Sequence, residues 1–138
     1  MNLQLKQWIE RVDHFLRRGR LLVIDYGYSA RELERFPMGT LMSYRGHAAY
    51  ADVLSGPGTR DITAHVNFSQ LSQVGMTSGF QIVNEESLQA WALRICETDE
   101  WMERWKAADT KWRLQWKQLV FGMGETFRVM ELEKEGPQ

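Results

Sequence analysis

Cysteine is nearly absent from this chain. One residue, Cys96, stands among 138, so no internal disulfide framework can form and a reducing compartment is indicated. Its apolar, helical surroundings make it a structural thiol rather than a nucleophile. No apolar run approaches membrane-spanning length, and the N-terminus lacks the apolar core of a signal peptide. These absences point to a cytoplasmic protein. Charge of one sign is lacking too. With 17 basic and 18 acidic residues the net charge is −1, which gives no electrostatic case for nucleic acid or an anionic membrane. The basic run Arg17-Arg18-Gly19-Arg20 suits a helix end, where cations complement the dipole.

Several catalytic signatures are missing. Gly56-Pro57-Gly58 is a turn and not a phosphate cradle, because Pro57 removes a backbone donor and no strand-to-helix junction surrounds it. There is no nucleophile elbow and no Cys-x-x-Cys pair. What is present is 43% apolar residues with 6 tryptophans, the content of one soluble globular core.

The run Leu21-Leu-Val-Ile24 is too short for a helix and is bounded by turn residues. It predicts a strand buried on both faces of a parallel α/β sheet. Its carboxyl end carries Asp25-Tyr26-Gly27, and ligands of open parallel sheets sit at that end. Ahead of it, Leu5, Trp8, Ile9, Val12, Phe15 and Leu16 share one helical face, predicting a helix over residues 2–18 closed by Gly19 as a left-handed cap. Helix, glycine and strand make the second half of a βαβ crossover, whose first strand would lie upstream of Met1.

Downstream, Ser29-Ala-Arg-Glu32 is a capping box for a short helix ending near Phe36, before Pro37. Residues 39–60 show no clean period and predict a long ordered loop with a short strand over 40–44. Asn67 caps a helix over 68–76, a strand follows over 80–83, and Asn84 caps a helix over 85–97. Trp101, Trp105, Ala108, Trp112, Trp116 and Leu119 form one stripe on a helix over 99–119, a core or interface pattern. A last strand spans 125–132. Residues 1–132 form a single α/β unit and 133–138 a frayed tail.

Three clusters could carry chemistry. Asp25-Tyr26-Gly27 either contacts a ligand or braces its own turn. In Tyr44-Arg45-Gly46-His47 the arginine could grip a carboxylate and the histidine act as a base near neutrality, or the loop could be pinned to its scaffold. Asp61-Ile62-Thr63-Ala64-His65 could join His47 in a metal triad only if helical, which Ile62-Thr63 disfavours.

The segments Ile24-Asp-Tyr-Gly27, Gly39-Thr-Leu41, Tyr44-Arg-Gly-His47, Pro57-Gly58, Asp61-Ile-Thr-Ala-His-Val-Asn-Phe68 and Met123-Gly-Glu-Thr-Phe127 occur in that order. Together they resemble the C-terminal portion of the MidA-like class I S-adenosylmethionine-dependent methyltransferases, the family of the mitochondrial complex I assembly arginine methyltransferase. The resemblance implies the C-terminal half of a Rossmann-like sheet, with strands equivalent to the fifth, sixth and seventh. It implies S-adenosylmethionine as cofactor and a protein arginine as acceptor. Asp25, Tyr26, Tyr44, Arg45 and His47 would line the acceptor side, and Asp61, Thr63 and His65 would brace the loop. Asn67 departs from the acidic residue usual in the family. The resemblance also implies that the N-terminal half, with its glycine-rich loop and acidic strand end, is missing, so that this chain alone would be inactive. The expected partners are that half or a second chain, through self-association, and a protein substrate. A non-catalytic interaction module is the competing expectation, and a small hydrolase holding a metal between His47, Asp61 and His65 a third.

Overall fold

The computed structural model describes residues 3–136, in which a four-stranded sheet carries helices on both faces and a three-stranded sheet stands at one end. Helix α1 covers Leu3–Phe15; the expected start at Asn2 lies outside the described residues. Ile9 is fully buried, and Leu5, Val12 and Leu16 pack beside it, whereas Trp8 and Phe15 of the same expected face are exposed. The buried stripe is thus narrower than the apolar pattern. Gly19 does not cap this helix. With φ at 139° it is the first residue of strand β1, Gly19–Tyr28, so the chain reverses within residues 16–18.

Strand β1 is neither purely parallel nor buried on both faces. It pairs antiparallel with β7, Phe127–Lys134, from Gly19↔Lys134 to Tyr26↔Phe127. Parallel pairing with β5, Val66–Asn67, is confined to Gly27↔Val66 and Tyr28↔Asn67. Alternation along the strand sends Leu21 and Val23 into the core and leaves Leu22 and Ile24 partly exposed. The continuous apolar run therefore reflects one core face and one open face.

The sheet order is β5-β1-β7-β6, with β6, Gln81–Ser87, antiparallel to β7. Residues 133 and 134, expected in the tail, are paired strand; Pro137 and Gln138 lie outside the described residues. The main core joins Ile9, Phe68, Leu71, Phe80, Met130 and Leu132 under α1 and α3, Phe68–Thr77. Asn67 caps α3 as expected, accepting from the Gln70 amide at 3.0 Å. On the opposite face, which carries Val129, α4, Leu88–Ile95, packs over β6 and β7 and leaves the β1 side chains Leu22 and Ile24 open. Its N-cap is Ser87 and not Asn84: β6 runs on through Asn84, whose amide donates to Glu86, and Ser87 Oγ takes the Ala90 amide at 3.1 Å.

Two further elements differ from expectation. Residues 39–60 are only partly a loop: the short strand expected over 40–44 is present, shifted to 42–45, residues 51–60 are irregular, and the unexpected feature is a second sheet. Strands β2, Met42–Arg45, β3, Ala48–Tyr50, and β4, Asp61–Thr63, form an antiparallel sheet in the order β3-β2-β4. Gly46 and His47, at φ 54° and 64°, make the tight β2–β3 turn, the left-handed pair that such hairpins need. Nor do the tryptophans lie on one helix. Helix α5, Asp99–Ala107, ends at extended Ala108, and Asp109 caps α6, Thr110–Lys117, by taking the Trp112 amide at 2.7 Å. A π-helical segment, Gln118–Met123, follows. The Asp109 cap out-competes helix continuation and folds the stripe onto itself. Cys96 is half-buried at the end of α4, and burial pushes its thiol up. No helix among the described residues is long and apolar enough to cross a membrane.

Candidate functional site

The end of β1 delivers Tyr26 to a cavity between the two sheets. Thr40, Met42 and Tyr44 come from the β2 side, Thr63 from the end of β4, His65 from the link to β5, and Thr126 from just ahead of β7. The space is about 290 Å³ and is open on one side. A wider depression of about 500 Å³ on α1, lined by Gln7, Glu10, Arg11, His14 and Phe15, is the outer surface of a single helix. It gathers no elements and carries no chemistry.

His65 is the best-fixed member. Its amide donates to Thr40 Oγ1 at 3.0 Å, tying the β4–β5 link to the start of the small sheet. Its ring stands edge-on to Tyr26 at 5.5 Å, tilts against Tyr28 at 5.1 Å and stacks over Phe36 at 6.3 Å. Nδ1 is buried and has no hydrogen-bond partner. A polar atom left so within a ring-walled site costs stability and is available to a bound group. Tyr26 is itself fixed from the other side by Phe127, 5.3 Å away.

Gly27 has a steric role here. It is buried where β1 meets β5, and a methyl group at this position would collide with the Val66 carbonyl and the Phe68 ring. The glycine lets the two backbones close behind Tyr26.

Of the residues singled out from sequence, Tyr26, Tyr44, Thr63 and His65 meet around the cavity. Asp25 does not line it: its side chain alternates to the other sheet face, opposite Arg128, and Oδ1 accepts the Tyr26 amide at 2.8 Å. Arg45 and His47 sit exposed at the β2–β3 turn, and Asp61 is exposed on β4. His47, Asp61 and His65 do not converge, and no group of three potential metal ligands exists among the described residues. Thr40, Met42 and Thr126 escaped the sequence reading, although Thr40 and Thr126 lie inside two of the motifs that carry the resemblance. Tyr28 and Phe36, which wall His65, gave no signal beyond being aromatic.

Behind the site, Arg128 ties β7 to α2, Ala30–Leu33, through Glu32. The Ser29 amide and hydroxyl, with help from Arg128, hold the Glu32 carboxyl below the usual range. Glu32 closes the expected capping box at the same time.

The profile of the family described as putative S-adenosyl-L-methionine-dependent methyltransferase matches residues 1–85. A solved COG1565 superfamily protein from Burkholderia thailandensis superposes with a TM-score of 0.79 at 26% identity, over 94% of this chain and 36% of that one. A COG1565 superfamily member from the same organism, bound to S-adenosyl-homocysteine, gives 0.76 at 28% identity, over 94% and 35%. The chain therefore spans about a third of the length of these structures. No curated protein matches it.

Proposed function

The chain belongs to the family of S-adenosyl-L-methionine-dependent methyltransferases, and from that premise we propose that it supplies the acceptor-side wall of an enzyme that methylates a protein arginine. S-adenosylmethionine is the cofactor of the family. The cavity does not fit that cofactor. Its lining offers hydroxyls, phenols and an imidazole, with no carboxylate to hold an ammonium or a ribose diol. The lining does suit a planar cation. Tyr26 and Tyr44 bring aromatic rings on which a guanidinium would stack, and the hydroxyls of Thr63 and Thr126, with the remaining lone pair of Thr40, would accept from its N–H groups.

The observation that carries the proposal is the convergence of Tyr26, Tyr44 and His65 on one cavity at the carboxyl end of β1. These residues would hold the acceptor, exclude water around it and offer an imidazole for the proton it releases. The sheet supports the same reading. In this reading β1, β6 and β7 would be the fifth, sixth and seventh strands, and the antiparallel pairing of β7 with both β1 and β6 is what supports it.

The test is label transfer from methyl-labelled S-adenosylmethionine by the chain assembled with a cofactor-binding portion, onto paired arginine and lysine proteins. Label on arginine is expected. An assembly that binds S-adenosyl-homocysteine yet labels only lysine, or neither, rules the proposal out. The open backbone edge of β1 favours a second reading, in which the chain serves as an interaction module.

A further inference from the structure

Helices α5 and α6 fold against each other through their own tryptophans. Trp101 lies 5.5 Å from Trp112 and 4.4 Å from Trp116, and Trp105 lies 5.9 Å from Trp112. The π-helical segment after α6 fixes this hairpin to the body. Val120 there is fully buried, and the Gly124 carbonyl accepts the Gln89 amide of α4 at 3.1 Å. Other side chains of the same stretch face solvent. Leu114 and Phe121 are 61% and 63% exposed, and Leu119 and Met123 are exposed beside Phe121. None of these four belongs to the ring cluster.

Charge is segregated along the same stretch. The whole chain is nearly neutral, yet residues 110–124 hold Lys111, Arg113 and Lys117 and no acidic residue. Arg113 is turned inward onto the Trp105 carbonyl at 3.0 Å. On α5, Glu100 and Glu103 are taken by Arg104 and Lys106 of that helix, each at 2.7 Å. Asp109 caps α6. Lys111 and Lys117 make no ion pair among the described residues. Lys111, Leu114, Lys117 and Phe121 recur at spacings of three, three and four. Free cations and apolar side chains therefore alternate along one stripe.

We propose that this stripe docks on a bilayer surface bearing anionic headgroups, with Leu114 and Phe121 entering the acyl boundary and Lys111 and Lys117 meeting the phosphates. The charge pattern chooses this occupant. Lysine is depleted in the cores of protein interfaces. At a bilayer its long stem lies along the apolar boundary while its ammonium stays among the headgroups. The hairpin is already braced by its tryptophans, so little ordering entropy opposes docking. Two lysines and two protruding apolar residues give a reversible, salt-sensitive attachment and not an anchor. The proposal is independent of what the cavity accepts.

The full chain is sedimented with vesicles of phosphatidylcholine alone and of phosphatidylcholine mixed with phosphatidylglycerol. Pelleting is expected with the mixed vesicles only, and is lost at high salt. A Leu114→Glu, Phe121→Glu double variant should lower the partition coefficient about tenfold or more. A Lys111→Gln, Lys117→Gln double variant should do the same. Leu54→Glu, at an exposed apolar residue of the small sheet's irregular segment, should leave it unchanged. All five positions are exposed, so melting temperatures should hold. If the glutamate pair unfolds the chain, the glutamine pair decides. No pelleting with mixed vesicles, which would leave the stripe to a protein partner, overturns the proposal. So does equal pelleting on both vesicle types, or pelleting insensitive to either folded double variant. A lipid-free dimer that the glutamate pair dissolves would give the stripe to a second copy and overturn it too.

Discussion

Arg128 and Glu32 lie 96 residues apart in sequence, and a single Arg128 amino group touches both Glu32 oxygens at 2.7 and 2.8 Å. The other amino group reaches Glu85 at 3.2 Å. One half-buried guanidinium thus joins α2, β6 and β7 directly behind the cavity.

Removing that guanidinium should cost measurable stability. Arg128→Met leaves the Glu85 and Glu32 carboxylates without their shared cation, an effect of about 1–3 kcal/mol. The exposed Arg20–Glu133 pair, at 3.3 Å, provides the contrast. Arg20→Ala should move stability by less than about 0.5 kcal/mol. Urea unfolding followed by tryptophan fluorescence measures both; equal midpoint shifts would show that the network is no stronger than a surface pair.

Two carboxylates give the protein a defined acid limit. Ser29 chiefly, then Arg128, holds Glu32 low; Arg94 chiefly, then Trp91, holds Glu131 low. Each folded value lies below the unfolded one, so each contribution is complete above the ordinary value of about 4.3 and is lost as pH falls through the folded value. Stability should be flat from neutrality down to that region and then drop. In Glu32→Gln the drop should be shallower, and urea midpoints taken across the acid range will show whether the two slopes differ.

How much of this was legible in the sequence varies by element. The Ser29–Glu32 capping box and the Asn67 cap were readable because each is a local hydrogen bond between neighbours. The strand nature of Leu21–Ile24 was readable too, but its open face was not: alternation is invisible when both faces carry apolar side chains. Of the small sheet only β2 was readable, as the short strand expected over 40–44; β3 and β4 were not, because they are short and mostly exposed and their pattern carries no burial period. At the site, tyrosine and histidine motifs were visible as chemistry. That Arg45 and His47 turn away while Thr126 turns in depends on strand register, which no local pattern encodes.

The tryptophan hairpin should open without unfolding the sheet. Trp101 sits 4.4 Å from Trp116 and 5.5 Å from Trp112, and Arg113 clamps the end of α5 by donating to the Trp105 and Lys106 carbonyls at 3.0 Å. Trp116→Ala should abolish the near-ultraviolet signal of the stacked rings and speed amide exchange in α5. Exchange in β1 and β7 should be unchanged, because their core is built from other residues. Loss of protection throughout the sheet would mean that the hairpin belongs to the global folding unit.

The cavity yields the sharpest division between neighbours in sequence. In the assembled enzyme, Tyr44→Ala should lower methyl transfer by removing a ring face from the acceptor, while Arg45→Ala, one residue on and pointing to solvent at the turn, should leave it within about twofold. His47→Gly should also be silent, since glycine accepts the left-handed backbone that His47 adopts at φ 64°. His65→Asn removes the only imidazole lining the cavity among the described residues, and should lower kcat by about a hundredfold with KM little changed. The same change should flatten the limb of the pH–rate profile that reports the base. A purely structural role for His65 would instead lower the melting temperature and leave that limb in place. A full loss of transfer from Arg45→Ala with His65→Asn active would move the acceptor site from the cavity to the hairpin tip.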